Sequence, residues 1–376
     1  MKAMVYHGVK NIQLSDAKDP VIEQDDDIII KVTSTSICGS DLHLLHGFIP
    51  NLKIGTVIGH ESMGIVEETG KGVSSVKKGD RVVVPFPVSC GHCWFCEHGL
   101  SSQCDNSNDF GEIGGIFGYS DTLGGYDGGQ AEYLRVPYAN FGPKIVSEAL
   151  TDEQALFATD ILPTSYWGVE AAGVKPGDTV AILGCGPVGL LAQKWAWIKG
   201  AKRVIAVDNV LYRLEHAKKY NNAEIINFED FENTGDYIKE ITKGGAESVV
   251  DCVGMEGKMS TIEKIESILK LQGGSKSAIE IAVKCVRKGG TIMLVGVYGA
   301  KYNMFPLGDL FSRNITLKMG QCPAHSYVKP ILQMIEDKKI DPTDIISHRL
   351  RLSDCNTAYD IFEKRQDNCI KVVLKP

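Results

Sequence analysis

The sequence lacks any apolar segment long enough to cross a lipid bilayer. A membrane-spanning helix needs roughly 20 consecutive apolar residues. The longest apolar run here, residues 180–192, is shorter and is broken by glycines. The first residues, Met1 to Tyr6, also lack the apolar region of a secretion signal. We therefore expect a cytoplasmic protein with no membrane partner.

The sequence also lacks an excess of positive charge. It has 40 Lys and Arg against 47 Asp and Glu, a formal net charge of −7, which argues against a general nucleic-acid binder. The other fractions are ordinary for a globular protein, with 43% hydrophobic and 23% charged residues. A chain of 376 residues is expected to form two domains, at roughly 100–200 residues per domain.

Disulfides are not expected, although the chain has eleven cysteines. Because thiols stay reduced in the cytosol, clustered cysteines indicate a metal site. Cys90, Cys93, Cys96 and Cys104 have the spacing C-x2-C-x2-C-x7-C, and four thiolates can close a structural shell around Zn²⁺. An iron–sulfur cluster, unliganded thiols and a nucleic-acid zinc knuckle are the alternatives. The long last gap argues against the cluster, and the lack of basic residues argues against the knuckle.

A second metal site is indicated by Cys38 and by His60, about twenty residues later. Thiolate and imidazole together suit Zn²⁺, and a catalytic zinc needs three protein ligands and one open position. The third ligand must come from elsewhere in the chain. Ser40 and His43, close to Cys38, are groups that can pass a proton. The alternative is a buried cysteine and a packed histidine in a small barrel.

The first 150 residues have the pattern of a compact all-β unit. Short β-branched runs such as 28–32 and 81–84 are separated by turn residues. Residues 110–129 hold eight glycines and several aromatics. This segment is expected to be a long loop, which either lines a substrate cleft or is an ordinary surface loop.

From residue 150 the pattern changes to alternating strands and helices. A buried strand at 179–183 leads into G-x-G-x-x-G and a helical stretch, and a strand at 203–207 ends at Asp208, nineteen residues after the last glycine. In this context the glycines permit close approach to a pyrophosphate, and the acid favours NAD over NADP. The alternative is a glycine-rich turn in a ligand-free α/β domain. The expected cofactor contacts are Gly184, Gly186, Pro187, Val188, Gly189, Asp208 and, more weakly, Arg213.

Further strands at 248–252 and 290–296 extend this half of the chain. Val295, Gly296 and Val297, at the end of the second of these strands, are also expected to contact the cofactor. A capping box and an apolar stripe predict an extra helix at about 258–272 between the two strands, followed by a helix at about 276–287.

Together these motifs resemble the zinc-dependent medium-chain dehydrogenase/reductase family, of the alcohol dehydrogenase type, over nearly the whole chain. The resemblance implies an α/β protein in which a GroES-like β-barrel catalytic domain is interrupted by a Rossmann NAD-binding domain, a doubly wound parallel sheet. The expected boundaries are 1–157 for the catalytic domain, with a structural zinc lobe at about 88–106, then 158–298 for the Rossmann domain. A return segment, 299–376, is expected to complete the catalytic domain.

Several stretches, among them 160–168 and 320–325, resemble a formaldehyde-dehydrogenase-like branch of the family. Asp160 stands where many alcohol dehydrogenases have a second zinc-ligating cysteine. The resemblance therefore implies Cys38, His60 and Asp160 as catalytic zinc ligands, two zincs per chain, and supporting roles for Asp41 and Glu61.

The expected activity is hydride transfer between NAD and a small alcohol or aldehyde, which includes formaldehyde-type substrates. The resemblance implies that the proton leaves through Ser40, the nicotinamide ribose and His43. The rival interpretations are a polyol or hydroxy-amino-acid dehydrogenase and, in a different class, a non-catalytic NAD-binding zinc protein. We also expect a homo-oligomer, either a dimer or a tetramer, with no nucleic-acid partner.

Overall fold

The computed structural model describes residues 1–109, 111, 113–254, 277–298 and 305–376. The described chain divides into two compact units, Met1–Pro163 with Pro323–Pro376, and Thr164–Cys322. The extra helix expected at about 258–272 lies outside the described residues. Among the helices that are described, none is long and apolar enough to cross a membrane.

Strands and helices are numbered here in chain order over the described residues. The strands are β1 (Lys2–Gly8), β2 (Asn11–Asp16), β3 (Ile28–Ile37), β4 (Ser62–Thr69), β5 (Arg81–Val84), β6 (Pro87–Val88), β7 (Gly115–Ile116), β8 (Tyr133–Val136), β9 (Lys144–Ile145), β10 (Thr179–Leu183), β11 (Arg203–Asp208), β12 (Glu224–Asn227), β13 (Ala246–Asp251), β14 (Val286–Leu294), β15 (Thr316–Met319), β16 (Ile346–Arg351) and β17 (Lys371–Lys375). The helices are α1 (Gly39–Leu45), α2 (Trp94–Glu97), α3 (Asp152–Leu156), α4 (Ile161–Ala171), α5 (Pro187–Ile198), α6 (Leu211–Asn221), α7 (Thr234–Ile241), α8 (Ser277–Cys285), α9 (Leu307–Ser312), α10 (His325–Glu336) and α11 (Cys355–Glu363).

The first unit is organised around β3, which pairs with β4, β8 and β17. The sheet runs in the order β16-β17-β3-β4-β5-β9, with β8 paired to β3. Ile28, Ile30 and Val32 of β3 are buried in one apolar cluster with Val66 and Val82. This alternation is what a strand with one face on a core requires. It agrees with the strands predicted for the first part of the chain, but the unit is not all-β, because it also contains the helices α1 and α2.

The second unit is built on a parallel sheet with the strand order β12-β11-β10-β13-β14-β15. Every pairing in it is parallel, and all five residues of β10 are buried. Parallel strands need crossover connections, and the helices in those connections cover the faces of the sheet. The order is that of the doubly wound dinucleotide-binding fold, whose ligand site lies at the carboxyl ends of the strands.

Both domain boundaries in the structure differ from those expected. The first lies between Pro163 and Thr164 rather than after residue 157. The second lies after Cys322 rather than after residue 298, because β15 pairs in parallel with β14 and therefore belongs to the second unit. The segment that rejoins the first unit begins at Pro323 and ends with β17, which pairs with β3.

Candidate metal centres and cofactor edge

Cys38 lies at the junction between β3 and α1, where an extended backbone turns into a helix. Its main-chain N–H donates to Asp41 Oδ2 at 2.9 Å, so the first turn of the helix holds the cysteine backbone. Ser40 and His43 lie on the same short helix, three residues apart, and therefore on one face. His43 is buried, with 5% exposure.

His60 is contacted from both sides of its ring by carboxylates. Its Nδ1 lies 3.3 Å from Asp41 Oδ1, and its Nε2 lies 3.4 Å from Asp160 Oδ2. The Ser40 hydroxyl oxygen is 3.2 Å from the same Nε2. Because Asp41 occupies the Nδ1 side, Nε2 faces the side on which Cys38 and Asp160 lie.

Asp160 completes a cluster whose members are far apart in the sequence. It directly precedes α4 and lies in the first unit, where its Oδ2 is 3.5 Å from Cys38 Sγ. One ligand atom each from Cys38, His60, Glu61 and Asp160 lies within 4.8 Å of every other. The structure thus brings together the three residues expected to hold a catalytic metal.

The spacing of these atoms fits a tetrahedral ion. Metal–ligand distances of roughly 2.0–2.3 Å at tetrahedral angles separate sulfur, nitrogen and oxygen ligands by about 3.4–3.6 Å. The separations of 3.5 Å for Cys38 Sγ to Asp160 Oδ2 and 3.4 Å for His60 Nε2 to Asp160 Oδ2 agree with that range. One thiolate, one imidazole and one carboxylate are also a donor set suited to Zn²⁺.

Electrostatics in the cluster also favour a bound cation. Burial alone would lower the pKa of His60, but the carboxylates of Asp41 and Asp160 outweigh burial and raise this pKa well above its usual value. Burial raises the pKa of the Cys38 thiol, and the charges of Asp160 and Glu61 raise it further. Protons and a metal ion therefore compete for the same donors, as expected of residues that bind a metal ion.

Glu61 belongs to the cluster but already has partners for both carboxylate oxygens. Lys371 Nζ donates to Glu61 Oε1 at 2.6 Å and to the main-chain oxygen of Ile37 at 2.9 Å. The Ser36 hydroxyl donates to Glu61 Oε2. Glu61 and Lys371 are both completely buried, and the Glu61 charge helps to raise the pKa of Lys371 in spite of that burial.

The glycine-rich loop reaches this cluster through Tyr119. The Tyr119 hydroxyl donates to the main-chain oxygen of Ser40 at 3.0 Å, and its ring meets the ring of His60 edge-on at a centroid distance of 5.7 Å. This part of the loop therefore packs against the candidate site, which favours the expected role in lining a cleft over an ordinary surface loop.

The four clustered cysteines form the second candidate metal centre. Their sulfur atoms all lie within 4.8 Å of one another, and the Sγ atoms of Cys93 and Cys104 are 3.9 Å apart. A tetrahedral Zn²⁺ with Zn–S distances of about 2.3 Å would separate its sulfurs by about 3.8 Å. None of the four is in a disulfide. The full set of four donors leaves no open position, so this centre fits a structural zinc.

Hydrogen bonds to sulfur support the ionised form of these thiols. Cys90 Sγ accepts from the main-chain N–H of Cys93 at 3.3 Å and from Asn106 Nδ2 at 3.3 Å. Burial acts to raise the pKa of Cys93, but the N–H groups of Cys96 and Asp105 outweigh it and lower this pKa to about 7. Burial raises the pKa of Cys96, so ionising the whole set needs a cation.

The glycine motif lies at the carboxyl edge of the parallel sheet, between β10 and α5. Gly184 has a φ of +89°, a conformation that favours glycine. Gly186 precedes the first helical turn, Pro187 opens it, and a side chain on Gly189 would collide with the main-chain oxygen of Gly184. The turn therefore packs as tightly as a pyrophosphate-binding turn requires, with Val188 also in the first turn of the helix.

Asp208 ends β11 beside this turn, as expected. Its Oδ2 accepts from the Cys185 N–H at 2.6 Å, and its Oδ1 accepts from the N–H groups of Asn209 and Val210 at 2.7 and 2.9 Å. Arg213, on α6, approaches the same turn, because its Nη1 would lie 3.9 Å from a Cβ on Gly186. One acid and one base thus flank the glycine turn.

Val295, Gly296 and Val297 follow β14 at the same edge of the sheet. The N–H groups of Val295 and Gly296 both donate to the Asp251 main-chain oxygen at 2.9 Å. A side chain on Gly296 would collide with Gly254, so the two chain segments touch through their backbones. The structure thus places all the expected cofactor residues at one sheet edge.

Comparison with known proteins agrees with both units. Residues 24–145 match the model of the alcohol dehydrogenase GroES-like domain, and residues 187–273 match the model of the zinc-binding dehydrogenase. The chain is 59% identical to the uncharacterized zinc-type alcohol dehydrogenase-like protein AdhB of Bacillus subtilis, with 100% of both chains covered. The chain belongs to the zinc-dependent medium-chain dehydrogenase family. This result confirms the expected GroES-like and Rossmann architecture.

Two further relatives are similar to this dehydrogenase over all or nearly all of its length. The alcohol dehydrogenase TADH from Thermus sp. ATN1 superposes with a TM-score of 0.87 at 32% identity, covering 100% of this chain and 99% of the other. The glutathione-independent formaldehyde dehydrogenase of Pseudomonas aeruginosa is 35% identical, covering 96% of this chain and 94% of its own. The second likeness is only a weak indication of the formaldehyde-dehydrogenase-like branch.

Sequence reasoning missed Lys371 at the site of this dehydrogenase. The residue interrupts the otherwise apolar run Cys369–Leu374, all of which is buried. A charged residue in the middle of a buried strand needs an opposite charge. That pattern was the available signal, but it does not identify the partner, Glu61, which lies 310 positions away.

Proposed function

We propose that this protein is a NAD-dependent, zinc-dependent dehydrogenase that transfers hydride between NAD and a small alcohol or aldehyde. The observation that carries the proposal is the tetrahedral spacing of Cys38 Sγ, His60 Nε2 and Asp160 Oδ2. Glu61, the remaining member of the cluster, is paired with Lys371 and Ser36. Three ligands with a fourth position left for substrate are typical of a catalytic zinc rather than a structural one.

Zinc held by these three residues would act as a Lewis acid towards the substrate oxygen. In the proposed site Cys38 and Asp160 bind as anions and His60 as a neutral imidazole whose Nδ1–H points to Asp41. Lys371 compensates the charge of Glu61, so the two anionic ligands, Cys38 and Asp160, balance the charge of one divalent ion. Tyr119 packs on His60 and on the Ser40 backbone, and this contact limits the freedom of both.

For the proton of the substrate hydroxyl we propose Ser40 Oγ as the first acceptor. Ser40 lies 3.2 Å from His60 Nε2 and is therefore close to the position of the reacting oxygen. His43, one helical turn later, is the proposed next carrier, because an imidazole can both accept and donate a proton. Ser40→Ala should lower kcat with little change in zinc content.

The proposed hydride acceptor is NAD, bound at the glycine turn, where it would supply the nicotinamide ring. The Asp208 carboxylate is held at the end of β11 by main-chain N–H groups. This position suits hydrogen bonds to ribose hydroxyls and repels a 2′-phosphate. Arg213 is the proposed second ribose contact.

The substrate class is proposed from the branch resemblance and from the 35% identity to a glutathione-independent formaldehyde dehydrogenase. The test is a steady-state assay of zinc-loaded protein with formaldehyde, small primary alcohols, polyols and hydroxy-amino acids, with NAD or NADH as required. We expect the highest kcat/KM with a small alcohol or aldehyde, and we expect no turnover in Cys38→Ala. A preference for polyols or hydroxy-amino acids would redirect the substrate class, and no turnover on the whole panel would overturn the proposal.

We further propose two zincs per chain and a homo-oligomer. Two clusters of ligand atoms support the metal count. Support for oligomerisation comes from Leu307 and Phe311 on α9, which are 69% and 84% exposed, and from Met319 on the edge strand β15, which is 59% exposed, since such apolar surface favours protein contacts. Metal analysis measures the number of zincs per chain, and light scattering measures the oligomeric state. One zinc per chain, or a monomer, would contradict these proposals.

A further inference from the structure

Gln130 is a completely buried glutamine next to the candidate catalytic centre. Its Nε2 donates to Asp41 Oδ2 at 3.0 Å and to the main-chain oxygen of Ser36 at 3.1 Å. Its Oε1 accepts from the hydroxyl of Tyr359, itself 5% exposed, at 2.8 Å. Gln130 therefore links the end of β3, helix α1 and helix α11.

The orientation of the Gln130 amide follows from the chemistry of its partners. Asp41 Oδ2 and the Ser36 oxygen can only accept hydrogen bonds, so they require the NH₂ group. A flipped amide would place its oxygen against both acceptors in a dry environment, where such repulsion is costly. The hydroxyl of Tyr359 is then the donor for Oε1.

This arrangement determines which carboxylate oxygen of Asp41 faces the ring of His60. Asp41 Oδ2 accepts from Gln130 and from the Cys38 N–H at 2.9 Å. Asp41 Oδ1 is left facing His60 Nδ1 at 3.3 Å, and among the described residues neither of these two buried atoms has a hydrogen-bond partner elsewhere. A proton on Nδ1 that points to Asp41 leaves the lone pair of Nε2 for the cluster.

Gln130 also packs against the backbone that carries His60. Its N–H donates to the Ile58 oxygen at 3.0 Å. A Cβ on Gly59, which has a φ of +101°, would collide with the Gln130 side chain and main-chain nitrogen. The residue before His60 thus has to be glycine partly because Gln130 occupies the adjacent space.

We infer that Gln130, held by Tyr359, is a positioning residue that sets the metal affinity of the centre through Asp41. Asp41 contacts the Cys38 backbone and the His60 ring, so one amide orients two proposed ligands at once. The inference rests on the proposed function, because it requires that Cys38, His60 and Asp160 hold the catalytic zinc.

The test compares the zinc affinity of Gln130→Leu, Gln130→Glu and Tyr359→Phe with that of the unmodified protein. Zinc bound per chain is measured against a graded series of free zinc set by a chelator, and no substrate is needed. Both Gln130 variants should bind the zinc held by Cys38, His60 and Asp160 roughly 10–100-fold more weakly, the usual effect of losing such a supporting contact. Gln130→Glu is the sharper variant, because it keeps the shape of the side chain but turns a carboxylate oxygen towards two acceptors.

Tyr359→Phe removes only the hydroxyl, so its effect on affinity should be smaller than that of Gln130→Leu. A larger loss of zinc affinity than in Gln130→Leu would contradict the proposal that Tyr359 acts through Gln130. The visible spectrum of the Co²⁺-loaded protein should shift in the Gln130 variants, since it reports the geometry of the ligands and is insensitive to a uniform loss of stability.

Asn221→Leu in the second unit is the matched control. Asn221 is a buried amide that donates to the Leu190 oxygen at 2.8 Å and to Gln193 Oε1 at 2.9 Å. The Asn221→Leu substitution should lower the melting temperature while leaving the zinc affinity unchanged. Equal zinc affinity in the unmodified protein and both Gln130 variants would overturn this inference alone. An unmodified protein that binds no zinc at Cys38, His60 and Asp160 would overturn the proposed function and this inference with it.

Discussion

Replacing Lys371 with Met should strongly destabilise the first unit, because it leaves one charge of a buried pair alone. Lys371 and Glu61 are both 0% exposed, and their charged atoms are 2.6 Å apart. Removing one partner of a buried pair typically costs about 3–5 kcal/mol, since the remaining charge is uncompensated. Met retains most of the aliphatic chain, so loss of packing contributes little. For a domain of this size the expected fall in melting temperature is about 2–4 °C per kcal/mol.

The measurement is a double-mutant cycle of Lys371→Met, Glu61→Gln and the double variant, followed by thermal unfolding. The double variant should recover stability relative to Lys371→Met, because no unpaired charge is left. Lys371→Met should also lower kcat, since Glu61 then keeps only its Ser36 hydrogen bond and its Oε1 can approach the metal position. A loss below about 1 kcal/mol in Lys371→Met, or no recovery in the double variant, would refute the reasoning.

This ion pair also predicts a pH dependence of stability. The neighbouring Glu61 charge raises the pKa of Lys371 above its usual value, despite burial. A group with a raised folded-state pKa contributes stability below its unfolded pKa, about 10.4 for lysine. The contribution should be complete at neutral pH and should be lost only as the pH rises through the raised value. Unfolding free energy measured at increasing alkaline pH should fall less steeply in Lys371→Met than in the unmodified protein.

The remaining predictions concern three site residues. Asp160→Asn should lower zinc affinity and kcat together. If Asp160 were only a helix cap, the substitution would cost about 1 kcal/mol of stability and leave both quantities unchanged. Metal analysis and kinetics distinguish the two cases, and full zinc content with normal kcat would exclude Asp160 as a ligand. Asp208→Ala should weaken NAD binding and reduce the NAD:NADP ratio of kcat/KM, and a higher kcat/KM with NADP in the unmodified protein would contradict the assignment. Cys93→Ala should remove one zinc and mainly lower the melting temperature, so an unchanged zinc count would exclude the four-cysteine centre.

Local patterns in the sequence were sufficient where the partners lie close together in the chain. The four cysteines between Cys90 and Cys104 do converge, because a short loop has few ways to place them apart. The strand at 179–183 and the glycine turn after it also occur as predicted, since a buried parallel strand, a tight turn and a helix start each depend on residues within one segment. The family resemblance then connected these segments into one fold class.

Residue pairs that are distant along the chain depended on the tertiary structure. Lys371 meets Glu61 across 310 positions and Tyr359 meets Gln130 across 229 positions, and neither partner has a local pattern that identifies the other. The domain boundary after Cys322 likewise follows from the pairing of β15 with β14. By itself the sequence determined the cysteine cluster and the cofactor turn, because each is encoded within a short segment, and the fold class followed from the family resemblance over nearly the whole chain. Only the tertiary structure decided which buried polar groups neutralise and orient one another around Cys38 and His60, because satisfying a buried charge or amide requires contacts that chain folding alone creates.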